Sequence, residues 1–252
     1  MNNDNSLIVK NLYYMKKIGI VIPAFNEDRN LIYLIKQIKK RLNCLILIVD
    51  DSTNQNTKKL FSKNKFRNVK YYHRGKKLGR GSAVIFGFNK LLKIKKNVNC
   101  LIEMDADMSH SPGELKRNIS YFYKHSFGLL IGSRYLPNSK IINWPISRRI
   151  LSKLSNRLAK FLLEAPVYDY TNGYRFYSKE AAMTVIKKCK NTGGGFIILS
   201  EIILVLWKNG FKIGEIRSVF KNRIRGESSV NFKLIIESFL GLIKLYIIRK
   251  SF

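Results

Sequence analysis

The chain has 252 residues, 46% of them apolar, enough for one large α/β domain or two small ones with a real core. Its 47 lysines and arginines against 16 aspartates and glutamates give a net charge of +31, a field that draws polyanions: nucleic acid, an anionic membrane surface or phosphorylated substrates. No uninterrupted apolar run reaches the ~18 residues of a spanning helix, and three scattered cysteines, Cys44, Cys100 and Cys189, argue against a disulfide framework or a zinc site.

Residues 1–17 are polar, lack an apolar core of signal-peptide length and read as a tail. Residues 18–22 form a buried-type strand that Pro23 is expected to stop. Asn26 is expected to cap the next helix, where Leu31, Leu34, Ile35, Ile38 and Leu42 recur at helical spacing. A second strand, 45–49, runs into Asp50-Asp51. This β-α-β order implies a parallel pair, which puts Asn26-Glu27 and Asp50-Asp51 on one edge. Val69–His73 is a third strand. Lys76-Lys77-Leu78-Gly79-Arg80-Gly81 follows, with glycines for close backbone approach and lysines for phosphate, and then a helix from about 82 to 92.

Cys100–Glu103 is a fourth strand, and it opens onto Asp105-Ala106-Asp107. Two carboxylates that close repel each other and lose hydration, so a site that keeps both supplies a cation or a proton. A hard ion such as Mg²⁺ or Mn²⁺, commonly held by one or two carboxylates and substrate phosphates, points to a nucleotide diphosphate. The plain alternative is two solvated loop aspartates. Four strands delivering four polar clusters to one rim favours the site.

Residues 112–124 read as a helix and 128–132 as a strand ending in Ser133-Arg134-Tyr135. The helix Ile146–Leu163 gathers Arg148, Arg149, Ser152 and Lys153 in its first turns, as an anion receptor or as a solvated face. An aromatic-rich turn, 168–175, leads into a strand, and Gly193-Gly194-Gly195 introduces an apolar helix, 196–207. A strand over 212–220 and a basic loop over 223–229 precede the last helix, 231–249, which is apolar around much of its girth and basic at Lys233, Lys244, Arg249 and Lys250. Such a helix either lies in a membrane interface, where each cation contributes roughly 1 kcal/mol near an anionic leaflet, or packs on its own domain. With no repeat and no long linker, the chain parses as a tail (1–17), one catalytic domain (18–230) and a C-terminal amphipathic helix (231–252).

Ile22-Pro-Ala-Phe-Asn-Glu27, Val49-Asp-Asp51, Lys77-Leu-Gly79, Asp105-Ala-Asp-Met-Ser-His110, Gly132-Ser-Arg-Tyr135 and Arg223-x-x-Gly-Glu-Ser228 occur in an order that resembles family 2 glycosyltransferases. Within that family the resemblance is to the dolichol-phosphate or polyprenol-phosphate mannosyltransferases. It implies an α/β GT-A fold with a mostly parallel central sheet and flanking helices. It also implies a nucleotide-sugar donor (GDP-mannose as best guess, or a UDP-sugar), Mg²⁺ or Mn²⁺, inversion at the anomeric carbon and a polyprenyl phosphate acceptor. The expected place is the cytoplasmic face of an anionic membrane, with a membrane partner subunit as an option and no nucleic acid.

Carried over by position, the resemblance sets Pro23, Phe25, Glu27, Asp50, Lys77 and Ala106 around the donor nucleotide. It assigns Asp105, Asp107 and Ser109 to the metal, with Asp107 the more direct ligand. Arg134, Arg148 and Ser152 would receive the acceptor phosphate, and Asp105, Asp107, Arg134 and Arg223 form the catalytic set. Two departures stand out: Ser52-Thr53 replaces Gly-Ser after the aspartate pair, and Ser229 stands where a lysine is usual. His110 is expected to be structural. A phosphate monoester acceptor is already anionic near neutral pH and needs no strong base. A sugar-hydroxyl acceptor would need a carboxylate base instead. A nucleic-acid-binding protein would explain the charge, but carboxylates cluster where its groove should be basic.

Overall fold

The computed structural model describes residues 17–64, 66–189, 197–222 and 232–249. Residues 1–16 of the tail, Gly193-Gly194-Gly195 and the basic loop 223–229, with Arg223, lie outside the described residues. In chain order the first elements are β1 (Ile18–Ala24), α1 (Asp28–Lys39), β2 (Leu45–Asp50), α2 (Asn56–Lys63), β3 (Val69–His73), α3 (Arg80–Ile94) and β4 (Cys100–Glu103). A single 3-10 turn at Pro112–Glu114 leads into α4 (Leu115–Lys124), followed by β5 (Leu129–Ser133), β6 (Lys140–Ile142), α5 (Ile146–Leu163), β7 (Arg175–Ser178) and α6 (Lys179–Lys188). The last elements are α7 (Ile197–Lys208), β8 (Ile213–Arg217), β9 (Val219–Lys221) and α8 (Phe232–Ile248).

The central sheet has the order β3-β2-β1-β4-β7-β5-β8 among the described residues. β1 to β4 are mutually parallel, so their carboxyl ends share one rim. β7 runs antiparallel between β4 and β5, and β8 adds parallel to β5. Strand alternation sorts the core. Ile18, Ile20 and Ile22 meet α1 through Leu31, Leu34, Ile35 and Ile38, while Val21, Leu47 and Val49 meet α3 through Val84, Phe88 and Leu91. Each fully buried aliphatic side chain contributes roughly 1.5–3 kcal/mol. The helix α3 lies so close to β1 that a Cβ on Gly87 would fall 2.3 Å from Val21 Cγ1.

Three expectations are corrected, and two helices are added. Pro23 does not stop β1, because Ala24 still pairs with Asp50. Val21 offers its carbonyl to Met104 on the β4 side, so two residues on Pro23 faces that side too, and β4 has ended there at Glu103. The missing N–H therefore leaves no ladder bond unmade. Asn26 does not cap α1: it sits at φ 57° and donates its own N–H to Ser52 Oγ at 2.7 Å, leaving Glu27 at the cap. The strand over 212–220 breaks at Ser218 into β8, in the main sheet, and β9, which pairs with β6. The helices α2 and α6 were not foreseen; α6 starts where Ser178 Oγ accepts the Ala181 N–H at 3.1 Å.

The C-terminal helix packs on its own domain and also shows an open face. Leu242 and Leu245 are buried against the core, while Phe239, Leu240, Ile243 and Ile247 are exposed. Beside it, α5 exposes Ile146, Ile150, Leu154 and Phe161. Among the described residues no helix is long and apolar enough to cross a membrane.

Candidate active site

The rim at the ends of β1 to β4 is built largely from acidic residues bonded to their neighbours. Asp50 is fully buried; its Oδ1 accepts from the backbone and hydroxyl of Ser52, and its Oδ2 accepts from Tyr71 OH at 2.6 Å. Burial, then the Asp50 bond and charge, push the Tyr71 phenol well up, so it stays a donor. Asp51 takes a bidentate grip from Arg74 at 2.5 and 2.7 Å and accepts the Leu78 N–H at 2.9 Å. This pins the loop that carries Lys77. Lys77 Nζ stands 4.8 Å from the Phe25 ring, so two expected donor residues meet across 52 positions of sequence. Glu27 accepts from Asn30 at 2.8 Å, and Pro23 is half-buried in β1. Asp50 points inward and reaches the rim only through Ser52 and Tyr71.

Beyond β4 the chain turns through Asp105-Ala106-Asp107. Ala106 is buried, and Asp107 Oδ1 accepts the Ser109 N–H at 3.0 Å, an Asx turn that shapes the loop. His110 is buried: its Nδ1 accepts the Asp105 N–H at 3.2 Å, so its Nε2 carries the proton and donates to Asn172 Oδ1 at 2.9 Å. Its ring stacks on Tyr174. His110 is therefore a brace for the loop, as expected from the sequence. Arg80, unforeseen, reaches in from the start of α3 to pair with both Asp105 and Glu103. Burial alone would lower its basicity, but the two carboxylates outweigh that and hold it charged.

Arg134 ends β5 against another unforeseen residue, the fully buried Asp169. Its Nε and Nη2 donate to Asp169 at 2.8 and 2.7 Å, and Nη2 also donates to Thr171 at 2.6 Å. Burial would raise the Asp169 pKa, but the Arg134 charge and the donated hydrogen bonds hold it below the usual carboxylate value. Arg134 Nη1 has no hydrogen-bond partner among the described residues. Trp144, Tyr135 and Phe220 each lie 5.4 Å from the Arg134 guanidinium carbon, ring centre to carbon, and Arg148 sits 4.2 Å over Trp144. Ser152 Oγ accepts from Tyr135 OH at 2.6 Å.

Asp105, Asp107, Arg134, Arg148 and Ser152 line one cavity of about 480 Å³. From this polar end the cavity continues between α5, α7 and α8 along Leu151, Leu154, Leu158, Ile236, Phe239 and Leu242. Pro23, Phe25, Glu27, Asp50 and Lys77 are not in its wall; they belong to the neighbouring stretch of rim. The carboxylate oxygens at the polar end are those of Asp105 and Asp107, the residue types a hard ion takes; Ser109 is not in the cavity wall. Among the described residues, Ser109 Oγ, two residues beyond Asp107, is buried with no partner, and no group of three acidic, histidine or cysteine residues placed to hold a metal ion occurs. The chain could thus offer part of a coordination shell, with ligand oxygens completing it.

Two signals in the sequence pointed to the missed partners. An arginine just before or at a helix start opposes the helix dipole and implies a tertiary counter-charge, which fits Arg80, two residues ahead of the helix expected from about 82. An aspartate within the aromatic turn 168–174 must be paired if buried, which fits Asp169.

Residues 19–186 match the family profile described as Glycosyl transferase family 2. A polyprenol monophosphomannose synthase of Mycolicibacterium smegmatis is 32% identical over 84% of this chain and 80% of its own length. A dolichol-phosphate mannosyltransferase of Pyrococcus furiosus is 31% identical over 88% of this chain, which spans 61% of that longer protein. Among solved structures, a mannosyl-3-phosphoglycerate synthase from Rubrobacter xylanophilus superposes with a TM-score of 0.63 at 14% identity, covering 97% of this chain and 76% of its own. A 4-diphosphocytidyl-2C-methyl-D-erythritol synthase superposes at 0.50 with 12% identity, over 91% of this chain and 98% of its own. These two speak to the fold alone, which is of GT-A type. By sequence profile and by relatives, the chain belongs to glycosyltransferase family 2.

Proposed function

We propose that this glycosyltransferase moves a hexose, with mannose from GDP-mannose as the best guess, onto a polyprenyl phosphate at the cytoplasmic surface of a membrane. The observation that carries the reading is the two-ended cavity: carboxylates and arginines at one end, a hydrocarbon-lined trough at the other. That shape suits an amphiphile with an anionic head, and the mannosyl-transfer names of the relatives agree with it. The open apolar faces of α5 and α8, flanked by Arg149, Lys153 and Lys244, suit an anionic bilayer surface.

In this mechanism Arg148, Ser152 and the remaining Nη1 donor of Arg134 hold the acceptor phosphate. One of its oxygens attacks the anomeric carbon as the bond from that carbon to the diphosphate breaks, so the configuration inverts. The attacking phosphate is already anionic, and the only carboxylates among the described cavity residues are Asp105 and Asp107. A general base is therefore not required, which favours a phosphate over a sugar hydroxyl as acceptor. A divalent ion held through Asp107, Asp105 and Ser109 would neutralise the departing diphosphate. The fixed arginines add to that stabilisation without reorganising.

The test is transfer by the purified protein from a panel of GDP- and UDP-sugars to a short polyprenyl phosphate, read by mass spectrometry. A prenyl-phosphohexose product supports the reading. Transfer only to hydroxyl acceptors, or no transfer from any nucleotide sugar, overturns it.

A further inference from the structure

Arg80 is built into the site more tightly than a surface cation needs. It opens α3, where the helix dipole disfavours positive charge, yet its side chain is only 17% exposed. Its Nε and Nη2 both donate to Asp105 Oδ1, at 3.1 and 2.7 Å, and its Nη1 donates to Glu103 Oε1. Nη2 also lies 3.4 Å from the Gly173 carbonyl oxygen. Glu103 is wholly buried, and its other oxygen accepts from Tyr177 OH at 2.6 Å. A Cβ on residue 173 would fall 1.9 Å from Arg80 Nη2, so the turn before β7 admits only glycine while the guanidinium is there. Three separate segments, α3, the end of β4 and the 168–174 turn, close around one cation.

The charge count has a consequence for ion binding. Two carboxylates share this guanidinium, and the Asp105 oxygen it leaves, Oδ2, is 3.7 Å from His110 Nε2. Asp105 is thus partly neutralised and held from behind before any ligand arrives. A free carboxylate pair would attract a divalent ion by itself; one already facing a guanidinium attracts it far less.

We propose that Arg80 is a positioning residue, an internal counter-ion that fixes Asp105 and keeps the affinity of the ligand-free protein for a divalent ion low. The ion then binds together with a nucleoside diphosphate, whose oxygens supply what Asp105 withholds. This rests on the donor-site reading above and deepens it.

The experiment is a titration of the full chain with Mn²⁺, followed by the paramagnetic resonance of the free ion, without nucleotide and with GDP or UDP. Melting curves check that each variant is folded. The unmodified protein should bind Mn²⁺ weakly alone and about tenfold or more tightly with a nucleoside diphosphate. Arg80→Gln should tighten nucleotide-free Mn²⁺ binding by about tenfold, because two carboxylates lose their cation. Glu103→Gln should weaken it, because Asp105 then has the guanidinium to itself, and Arg80→Lys should restore the original affinity by restoring the charge. If Arg80→Gln does not fold, the sign of the Glu103→Gln effect decides. Folded Arg80→Gln with unchanged or weaker Mn²⁺ binding, or Glu103→Gln with tighter binding, overturns the proposal. Mn²⁺ binding that no nucleoside diphosphate improves would instead remove the donor-site reading, while the nucleotide-free comparison of variants still tests Arg80.

Discussion

The two halves of the site are made from opposite materials. On the side of β1 to β4, the carboxylates are each satisfied by donors: Asp50 by Ser52 and Tyr71, Asp51 by Arg74 and the Leu78 N–H, Asp105 by Arg80. On the side of α5 and α8, the wall is leucine, isoleucine and phenylalanine, much of it open to solvent. The first half is a rigid frame whose charges hold loops in place, and few side chains, such as Lys77, stand clear of it. The second half is an apolar slot, which under the proposed function would select its acceptor by shape and hydrocarbon contact. The contrast teaches that most acidic residues near this site act through the backbone they hold.

Asp107 should break the contrast most severely. Asp107→Ala is expected to lower turnover by about a thousandfold with the melting temperature nearly unchanged, since charge stabilisation in the transition state is lost while the frame stays. Full activity with purified donor and ion would remove its role. Arg148→Ala should raise the acceptor KM by about 10- to 100-fold and leave the donor KM about unchanged, because a charge-assisted bond to the acceptor phosphate is lost. Equal effects on both would place Arg148 in the donor half.

Smaller effects should fall on the slot. Leu154→Ser is expected to raise the KM for long-chain acceptors roughly fivefold through lost apolar contact. A water-soluble, short-chain acceptor should respond little, and an equal response would argue against a hydrocarbon trough.

The subtlest comparison is in pH. Glu215 accepts the backbone N–H groups of Tyr168 and Asp169, and burial, exceeding those bonds, raises its pKa above the ordinary 4.5. Folded protein therefore binds a proton there that unfolded protein has lost, so stability falls as pH climbs from 4.5 through the folded value. Glu215→Gln should flatten that slope, by at most about 1.4 kcal/mol per pH unit. Asp169 has the opposite sign: its folded pKa lies below the ordinary 3.8, so its contribution is present above that pH and lost on further acidification. Denaturation measured across pH 3–6 reads both.

How much of this was legible in the sequence follows physical range. The strand Val69–His73 and the helix Ile146–Leu163 stand where apolar spacing puts them, because burial on one face is written locally. The polar helix α2 offers too few apolar positions to show a period. Pro23 misled because its tolerance depends on where β4 ends, a fact of register. Asp105, Asp107 and Arg134 were legible through an ordered set of motifs, whereas Arg148 and Ser152 came only by position from the resemblance, their helix face reading equally as an anion receptor or a solvated surface; the structure lines one cavity with all five. Their partners Arg80 and Asp169 left only indirect signs, a cation beside a helix start and an aspartate in an aromatic turn, since ion pairs between distant segments leave no periodic trace.

The central claim is that the acceptor lies in the α5–α8 slot with its phosphate at Arg134 and Arg148. A photoreactive polyprenyl phosphate, irradiated with the protein and mapped by peptide mass spectrometry, tests it most directly. The account predicts labels on residues 151–158 and 236–242, suppressed by unlabelled polyprenyl phosphate. Labels concentrated near Phe25 and Lys77, or spread over the surface and insensitive to competitor, would contradict it.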